Sequence, residues 1–259
     1  MVTKYVLNHK KEFEIFLMIE MVLKKTSSPA MNKFAKEETS IWIKTAKKYA
    51  RKDGKVIEMG CGSGRVIGKL TAAGFCTYGF DINKLFVDYC KKNGLNAFQM
   101  DATKTVPNRH KAKYKMACMA INLLFNFSEQ IRKKWISSAY DLLSDNGILI
   151  MSVYSDNKFS RTTIKERVKY YKDVIMAPTG YCVDFFDNKK RRGVHLCDKN
   201  KKECWSSDWA SKNELLKEVN SWKGFKLISI KPMKCGIAWM LLLTKNDYII
   251  KGKRQNIGH

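Results

Sequence analysis

The sequence predicts an α/β fold built on a doubly wound parallel sheet. Three observations predict it: short apolar runs alternate with amphipathic helical stretches between residues 55 and 155, the runs are apolar on both faces, and a glycine-rich turn follows the first run. Strands of this kind, separated by helices, form parallel sheets that are covered on both sides. The length of 259 residues suits one large domain, so we treat residues 1–259 as a single domain.

N-terminal helices are expected over residues 1–50, before the sheet begins. A looser apolar helix is expected at 11–24, ahead of the break at Ser27-Ser28-Pro29. A second, amphipathic helix is expected at 33–51, and we interpret Phe34 and Trp42 as core residues of it. Its inward-facing positions recur at helical spacing: Phe34, Ile41, Trp42, Thr45, Ala46 and Tyr49.

The central part of the chain alternates between predicted strands and helices. Gly74 is expected to close the first of these helices, and Asn83 and Ser128 are expected to cap the next two. The helix that follows Ser128 is predicted at 129–143. Five strands are predicted around these helices, at 56–59, 77–82, 97–100, 115–121 and 147–154.

Residues 156–206 interrupt the alternation and are predicted to be an inserted subdomain on the substrate side. The insert contains a basic helix near 158–175 and two strand-like runs, 181–186 and 193–197, on either side of a polar turn. This pattern predicts a helix plus a β-hairpin. No metal site is predicted, because the candidate ligands lack the C-x-x-C spacing of zinc sites: Cys182, His195, Cys197 and Cys204.

The sheet is expected to resume after the insert. Ser211-x-x-Glu214 is the signature of a capping box, and it predicts a helix that extends to Trp222. Two further strands are predicted at 225–231 and 237–245, joined by a short connection. A short connection favours an antiparallel pair, so we expect a seven-stranded sheet with an antiparallel strand at its edge.

The composition excludes several classes of protein. With 45% hydrophobic and 28% charged residues, the chain differs from collagen and from disordered proteins. Its apolar runs are shorter than the roughly 20 residues that a membrane-spanning helix needs. The eight cysteines form no C-x-x-C pair, and several lie in apolar segments. This usage is typical of reduced, buried thiols, so we expect a cytoplasmic protein without a membrane span.

The formal net charge of +25 raises the question of a nucleic-acid partner. The basic excess is spread almost evenly along the chain, whereas a nucleic-acid footprint is usually clustered. An even excess is what a lysine-rich host proteome gives. Folding can still gather distant charges onto one face, so RNA binding stays open as an alternative.

The strongest chemical signal is the segment Glu58-Met-Gly60-Cys-Gly62-Ser-Gly64, at the end of the first predicted strand. A glycine-rich turn at this place lets a ligand lie against the backbone, over the N-terminus of the next helix. The spacing is not the dinucleotide fingerprint G-x-G-x-x-G, because Arg65 or Ile67 stands where the third glycine is needed. The Gly-Lys-Ser/Thr ending of a phosphate-binding loop is also absent.

An acid followed by G-x-G-x-G resembles motif I of the class I S-adenosylmethionine-dependent methyltransferases. The resemblance implies a Rossmann-like fold and S-adenosyl-L-methionine as cofactor. It covers roughly residues 33–155 and 207–245, and it extends to the ends of the next three predicted strands. There, Asp81 matches the acid that binds the ribose hydroxyls, Asp101 matches the acid that binds the adenine amino group, and Asn122 stands beside the reacting methyl group.

The resemblance also implies a set of cofactor-binding residues. Glu58 is expected to meet the cationic amino group of the cofactor, because an acid before a glycine loop on a buried strand is costly without a partner. An ordinary role in capping a helix or a turn remains the alternative for Asp81, Asp101 and Asn122. The full predicted set is Glu58, Gly60, Cys61, Gly62, Gly64, Asp81, Ile82, Asp101, Ala102 and Asn122.

The sequence after the fourth strand narrows the substrate class. Asn122-Leu-Leu-Phe-Asn126 is neither the Asn/Asp-Pro-Pro-Tyr of adenine-N6 enzymes nor the Pro-Cys of cytosine-C5 enzymes. It is closer to the broad group that methylates an O, N or C nucleophile of a small molecule. The candidate catalytic residues are Asn122, Tyr154 and His195, of which His195 has the pKa range of a general base.

Two alternatives remain open at this point. The first is a methyltransferase that acts on RNA or another polyanionic macromolecule, which the charge and the basic runs in 156–206 favour. The second is a protein that binds S-adenosylmethionine without methyl transfer, either a regulatory module or a cyclase-like enzyme that acts on the cofactor itself.

Overall fold

The computed structural model describes residues 29–121, 123–157, 186–187, 192–196 and 203–246. The helices predicted at 11–24 and 158–175 lie outside these residues. In the described part of the chain, no helix is long and apolar enough to cross a membrane.

Helices and strands alternate along the chain as predicted. The helices are α1 (Pro29–Tyr49), α2 (Arg65–Ala72), α3 (Lys84–Lys92), α4 (Glu129–Leu142) and α5 (Lys212–Asn220). The strands are β1 (Lys55–Met59), β2 (Cys76–Asp81), β3 (Ala97–Gln99), β4 (Tyr114–Met119), β5 (Leu143–Tyr154), β6 (Phe186–Asp187), β7 (Arg192–Leu196), β8 (Glu203–Asp208), β9 (Phe225–Pro232) and β10 (Ala238–Lys245). Short 3₁₀ turns lie at Asn108–His110 and Leu123–Asn126.

The main sheet has seven strands in the order β3-β2-β1-β4-β5-β10-β9. The first five are parallel to one another, and β10 runs antiparallel to both β5 and β9. The predicted α/β fold, with seven strands and an antiparallel pair at one edge, is therefore confirmed. Because β1 leads first to β2 and β3 and the chain then returns to β4, the strand order reverses beside β1, where such sheets open a crevice for ligands.

Burial explains why the central strands read as continuous apolar runs. Residues 147–154 of β5 are all buried, as are residues 56–59 of β1. On one face, α4 packs Trp135 and Ile136 against the sheet. On the other face, α1 contributes Phe34 and Trp42, which are both fully buried, to a second cluster. A strand between two helical layers has no solvent face, so polar alternation is lost.

Several element boundaries differ from the predicted ones. α1 begins at Pro29 rather than residue 33, because proline suits the first turn of a helix. β4 ends at Met119 rather than residue 121, since Ile121 has a φ of 46° and turns the chain out of the sheet. β5 begins at Leu143, four residues before Gly147, because Leu143 pairs with Tyr114 across an irregular register.

The described residues of the insert include a hairpin and one strand that the sequence did not predict. Residues 181–185 of the first predicted strand of the hairpin lie outside the described residues. β6 and β7 pair antiparallel, with Asp187 opposite Arg192. β8 adds to β7 and completes a separate three-stranded sheet in the order β6-β7-β8. The sequence of β8, Glu-Cys-Trp-Ser-Ser-Asp, is mostly polar and lacks the alternation by which a strand is recognised.

The capping box of α5 gives a direct test of the local helix signals. The Ser211 Oγ accepts from the Glu214 N–H at 3.3 Å, and the Glu214 carboxylate accepts from the Ser211 N–H at 2.8 Å. We expect Ser211→Ala to lower the free energy of unfolding by about 1 kcal/mol, because it leaves a helix donor unsatisfied. The measurement is chemical denaturation.

Ser221→Ala is the matched control for this change. Its hydroxyl donates to the Glu218 carbonyl at the other end of the same helix, where no capping box exists. We expect the control to change the free energy of unfolding by less than about 0.5 kcal/mol. Equal losses in the two variants would contradict the assignment of the box.

Candidate functional site

The candidate site lies at the carboxyl ends of three neighbouring parallel strands. In the sheet register, Glu58 of β1 pairs with Gly79 of β2, and Asp81 of β2 pairs with Gln99 of β3. Asp101 follows β3 by two residues. The three predicted acids therefore end adjacent strands along one edge of the sheet, as the sequence implied.

The glycine loop between β1 and α2 has a backbone that only glycine adopts without strain. Gly60, Gly62 and Gly64 have φ values of 69°, 49° and 81°. A Cβ on Gly60 would lie 2.5 Å from a methyl group of Leu123, and one on Gly64 would lie 2.6 Å from a methyl group of Leu95. Positive φ and close packing thus both require glycine at these positions.

Asp81 fastens this loop to the end of β2. Its Oδ2 accepts from the Gly62 N–H at 3.0 Å, and its Oδ1 accepts from the Asn83 N–H at 2.9 Å. The Cys61 N–H donates to the Phe80 carbonyl at 2.9 Å, so the loop continues the pairing of β1 with β2. Asp81 consequently fixes the loop to the end of β2.

Ile82 and Asp101 follow the next two strands. The side chain of Ile82 is 54% exposed, which is unusual for a large apolar residue in this structure. The Asp101 Oδ1 accepts from the N–H and the hydroxyl of Thr103, at 2.8 and 2.7 Å. Ala102 is buried, and its carbonyl accepts from the Ser138 hydroxyl, so its contribution is to hold the turn.

Glu58 is a buried carboxyl group at the base of the loop. It is 2% exposed, and its Oε2 accepts from the Ile67 N–H at 3.1 Å in the first turn of α2. Burial raises the pKa of Glu58 well above its usual value, and the nearby Arg65 guanidinium opposes this. A buried acid that is costly to ionise creates a place where a cationic ligand group is favoured.

The side chain of Cys61 is buried behind the loop. A hydrogen bond with Cys90, together with burial, raises the pKa of the Cys61 thiol far above its ordinary value. The thiol is therefore a poor nucleophile. A Cβ on Gly79 would lie 2.7 Å from the Cys61 Cβ, so the glycine in β2 provides the room that Cys61 occupies.

Glu38 is a site residue that sequence reasoning missed. It is fully buried on α1, where its Oε2 accepts from the Arg65 guanidinium at 2.7 Å. Its Oε1 accepts from the Ile121 N–H at 2.9 Å and from the Ser152 hydroxyl. The available signal was its place on the apolar face of α1, four residues after Phe34.

The structure describes the side chain of only one of the three candidate catalytic residues. Tyr154 ends β5, is 4% exposed and packs against Phe34 with ring centroids 6.1 Å apart. Asn122 lies outside the described residues. His195 lies in β7, but its side chain is outside what is described. The structure therefore positions one of these three side chains.

The small sheet of the insert lies close to the end of β4. Its strand β8 runs beside the Leu123–Asn126 turn, which follows directly on that end. Among the described residues, no group of three or more His, Cys, Asp or Glu residues could hold a metal ion.

Comparison with known proteins shows what this sequence and this fold are similar to. Residues 56–147 match the methyltransferase domain family. No curated protein matches the chain in sequence. An S-adenosylmethionine-dependent methyltransferase from Methanosarcina mazei is 14% identical, with a TM-score of 0.57 over 78% of this chain and 97% of its own.

Two further solved structures have the same fold. An S-adenosylmethionine-dependent methyltransferase from Clostridium acetobutylicum is 11% identical, with a TM-score of 0.56 over 90% of this chain and 99% of its own. The 1,6-didemethyltoxoflavin-N1-methyltransferase of Burkholderia thailandensis is 10% identical, with a TM-score of 0.55 over 93% of this chain and 90% of its own.

The family match covers the glycine loop and the strand ends that carry the three acids. The resemblance inferred from the sequence is confirmed: residues 56–147 match the methyltransferase domain family, and the chain has the fold of the class I S-adenosylmethionine-dependent methyltransferases.

Proposed function

We propose that this protein is an S-adenosylmethionine-dependent methyltransferase that acts on an O, N or C nucleophile of a small molecule. One observation carries the proposal. Glu58, Asp81 and Asp101 end three adjacent parallel strands around a loop of left-handed glycines at the N-terminus of α2. This arrangement offers acids to the polar groups of a nucleoside that carries an amino acid. It offers the backbone of the glycine loop to the rest of that molecule.

The residues present fit this cofactor. Glu58 is buried and favours a cation, which suits the ammonium group of the methionine part. The three left-handed glycines of the loop give it the tight backbone turn over which such a cofactor would lie. Asp81 would bind the ribose hydroxyls while it holds Gly62, and Asp101 would bind the adenine amino group. The exposed face of Ile82 would pack against the adenine ring.

When bound, S-adenosylmethionine supplies a methyl group on a sulfonium, which a nucleophile displaces directly as the thioether leaves. Because the methyl group is already activated, the protein chiefly has to orient the reactants and to exclude water. Tyr154 fits this role, because its buried ring fixes the end of β5 against Phe34. Asn122 and His195 stay candidates for contact with the substrate and for a general base.

A small-molecule substrate is supported by the ligand of one structurally similar protein. The Burkholderia thailandensis enzyme is described with bound 1,6-didemethyltoxoflavin and S-adenosylhomocysteine. Its fold matches almost the full length of this chain. Residues 156–206 follow β5, and their β8 runs beside the turn after β4, so this segment is where we expect substrate choice to reside.

A polyanionic substrate such as RNA is the second candidate, and α1 carries the observation that favours it. Both acids of this helix face the protein: Glu38 is buried, and Glu37 accepts from the backbone N–H groups of Lys234 and Cys235. Every exposed charge on the described part of the helix is therefore a lysine: Lys33, Lys36, Lys44, Lys47 and Lys48.

We expect Asp81→Ala to weaken binding of S-adenosylhomocysteine by about 1–3 kcal/mol, because a charge-assisted contact and the clamp on Gly62 are both lost. The measurement is titration calorimetry. Asp88→Ala is the control, since Asp88 only pairs with Lys84 on the exposed face of α3. Unchanged affinity in Asp81→Ala would contradict the assignment of this site.

The affinity for S-adenosylhomocysteine should also depend on pH through Glu58. Burial raises the pKa of this acid, so the carboxylate that attracts an ammonium group is present above that raised pKa and lost as the pH falls through it. Affinity should therefore fall on acidification, at a higher pH than for an ordinary glutamate. Glu58→Gln should bind weakly and without this dependence; a variant that keeps the wild-type pH profile would refute the role of Glu58.

The reaction products should separate the remaining alternatives. With purified protein and S-adenosylmethionine, we expect S-adenosylhomocysteine to form when a metabolite pool is added, with little dependence on salt. Turnover that needs RNA and falls steeply with salt concentration would favour the polyanionic substrate. Formation of methylthioadenosine would show instead a cyclase-like enzyme that acts on the cofactor itself. Mass spectrometry distinguishes the products.

A further inference from the structure

Three charged residues form a cluster behind the glycine loop. Glu58 and Glu38 are 2% and 0% exposed, and Arg65 lies between them at the first position of α2. The guanidinium of Arg65 therefore interacts electrostatically with two buried acids. Which of the two it pairs with decides the charge that faces a ligand.

In this structure the guanidinium of Arg65 is held by α1. One of its nitrogens lies 2.7 Å from the Glu38 Oε2, and another lies 3.4 Å from the Thr39 hydroxyl. Its side chain is 28% exposed, whereas that of Glu38 is fully buried. The pair thus joins the N-terminal helix to the residue that directly follows the glycine loop.

Glu38 is itself anchored on the side away from Arg65. Its other oxygen accepts from the N–H of Ile121, after the end of β4, and from the hydroxyl of Ser152 in β5. Two donors from the sheet fix the carboxylate in place. Arg65 is consequently drawn toward α1, and Glu38 cannot follow it toward the loop.

Glu58 makes a different set of contacts. Its carboxyl group accepts a hydrogen bond from the Ile67 N–H at 3.1 Å. Arg65 is close enough to favour the ionised form of Glu58 electrostatically, but its ion pair is with Glu38. A guanidinium turned onto Glu58 would neutralise that acid and fill the place that we assign to the ammonium group of the cofactor.

We propose that Glu38 is a positioning residue: by holding Arg65 on α1, it leaves Glu58 to bind the ammonium group of S-adenosylmethionine. The inference rests on the proposed function. Glu38 and Arg65 together carry no net charge, so Glu58 is the acid that remains for a cationic ligand. Removing Glu38 alone leaves an uncompensated guanidinium beside Glu58.

The test compares two ligands that differ in the amino acid part. S-adenosylhomocysteine carries the ammonium group, and methylthioadenosine lacks it. We expect Glu38→Gln to weaken binding of S-adenosylhomocysteine by about tenfold or more, which is the scale of one charged contact. Binding of methylthioadenosine should stay unchanged, because its contacts lie at Asp81, Ile82 and Asp101. Calorimetry measures both.

The double variant Glu38→Gln/Arg65→Met should restore binding of S-adenosylhomocysteine to within about threefold of the wild type, because the competing cation is gone. Glu129→Gln is the charge control: it removes an exposed acid that pairs with Lys133 on α4, outside the cluster. A role for Glu38 in packing alone predicts the opposite pattern, with both ligands weakened and no restoration.

Each outcome decides the proposal. Equal losses for the two ligands, or a double variant as weak as the single one, would overturn it. If Glu38→Gln does not fold, the double variant carries the test, since it must keep the wild-type ratio of the two affinities. A wild-type protein that binds neither ligand refutes the proposed function itself, whereas normal wild-type binding with an unaffected Glu38→Gln refutes only the role of Glu38.

Discussion

The site depends on the hydrogen bond between the Asp81 carboxylate and the Gly62 N–H, which ties the glycine loop to the end of β2. The loop has three left-handed glycines in five residues, and these have no side chains to hold them in place. Without a partner, such a segment pays a large entropic cost to stay ordered. Asp81 and the Cys61–Phe80 backbone hydrogen bond supply that partner, and they fix the loop that leads into α2.

Three buried or partly buried charged groups lie behind the same loop. Glu58, Glu38 and Arg65 lie where β1, α1 and α2 meet, and each has a defined partner in the backbone or in another side chain. Isolated buried charges are unfavourable, so groups of this kind are retained where they are paired or where they serve a ligand. Glu38 and Arg65 are paired with each other, and Glu58 is the group that we propose serves a ligand. The N-terminal helix is thereby linked to the cofactor site.

Local signals were enough to predict the sheet and the glycine loop. β1 and β5 are buried on both faces, so their apolar runs stand out, and Gly60, Gly62 and Gly64 lie in one short segment. The place of Glu38 on the apolar face of α1 was not enough to reveal its role, because its partners Arg65, Ile121 and Ser152 are distant in sequence and meet only in the fold. β8 was missed for a related reason: its pairing with β7, rather than its own polar sequence, makes it a strand.

The central claim is that the acids and the glycine loop bind S-adenosylmethionine. The most direct test is calorimetric titration of the purified protein with S-adenosylmethionine and, separately, with NAD, whose fingerprint the loop lacks. The account predicts saturable binding of the first ligand, with a dissociation constant near the micromolar range, about −8 kcal/mol, and no binding of the second. Binding of neither ligand, or of NAD alone, would contradict it.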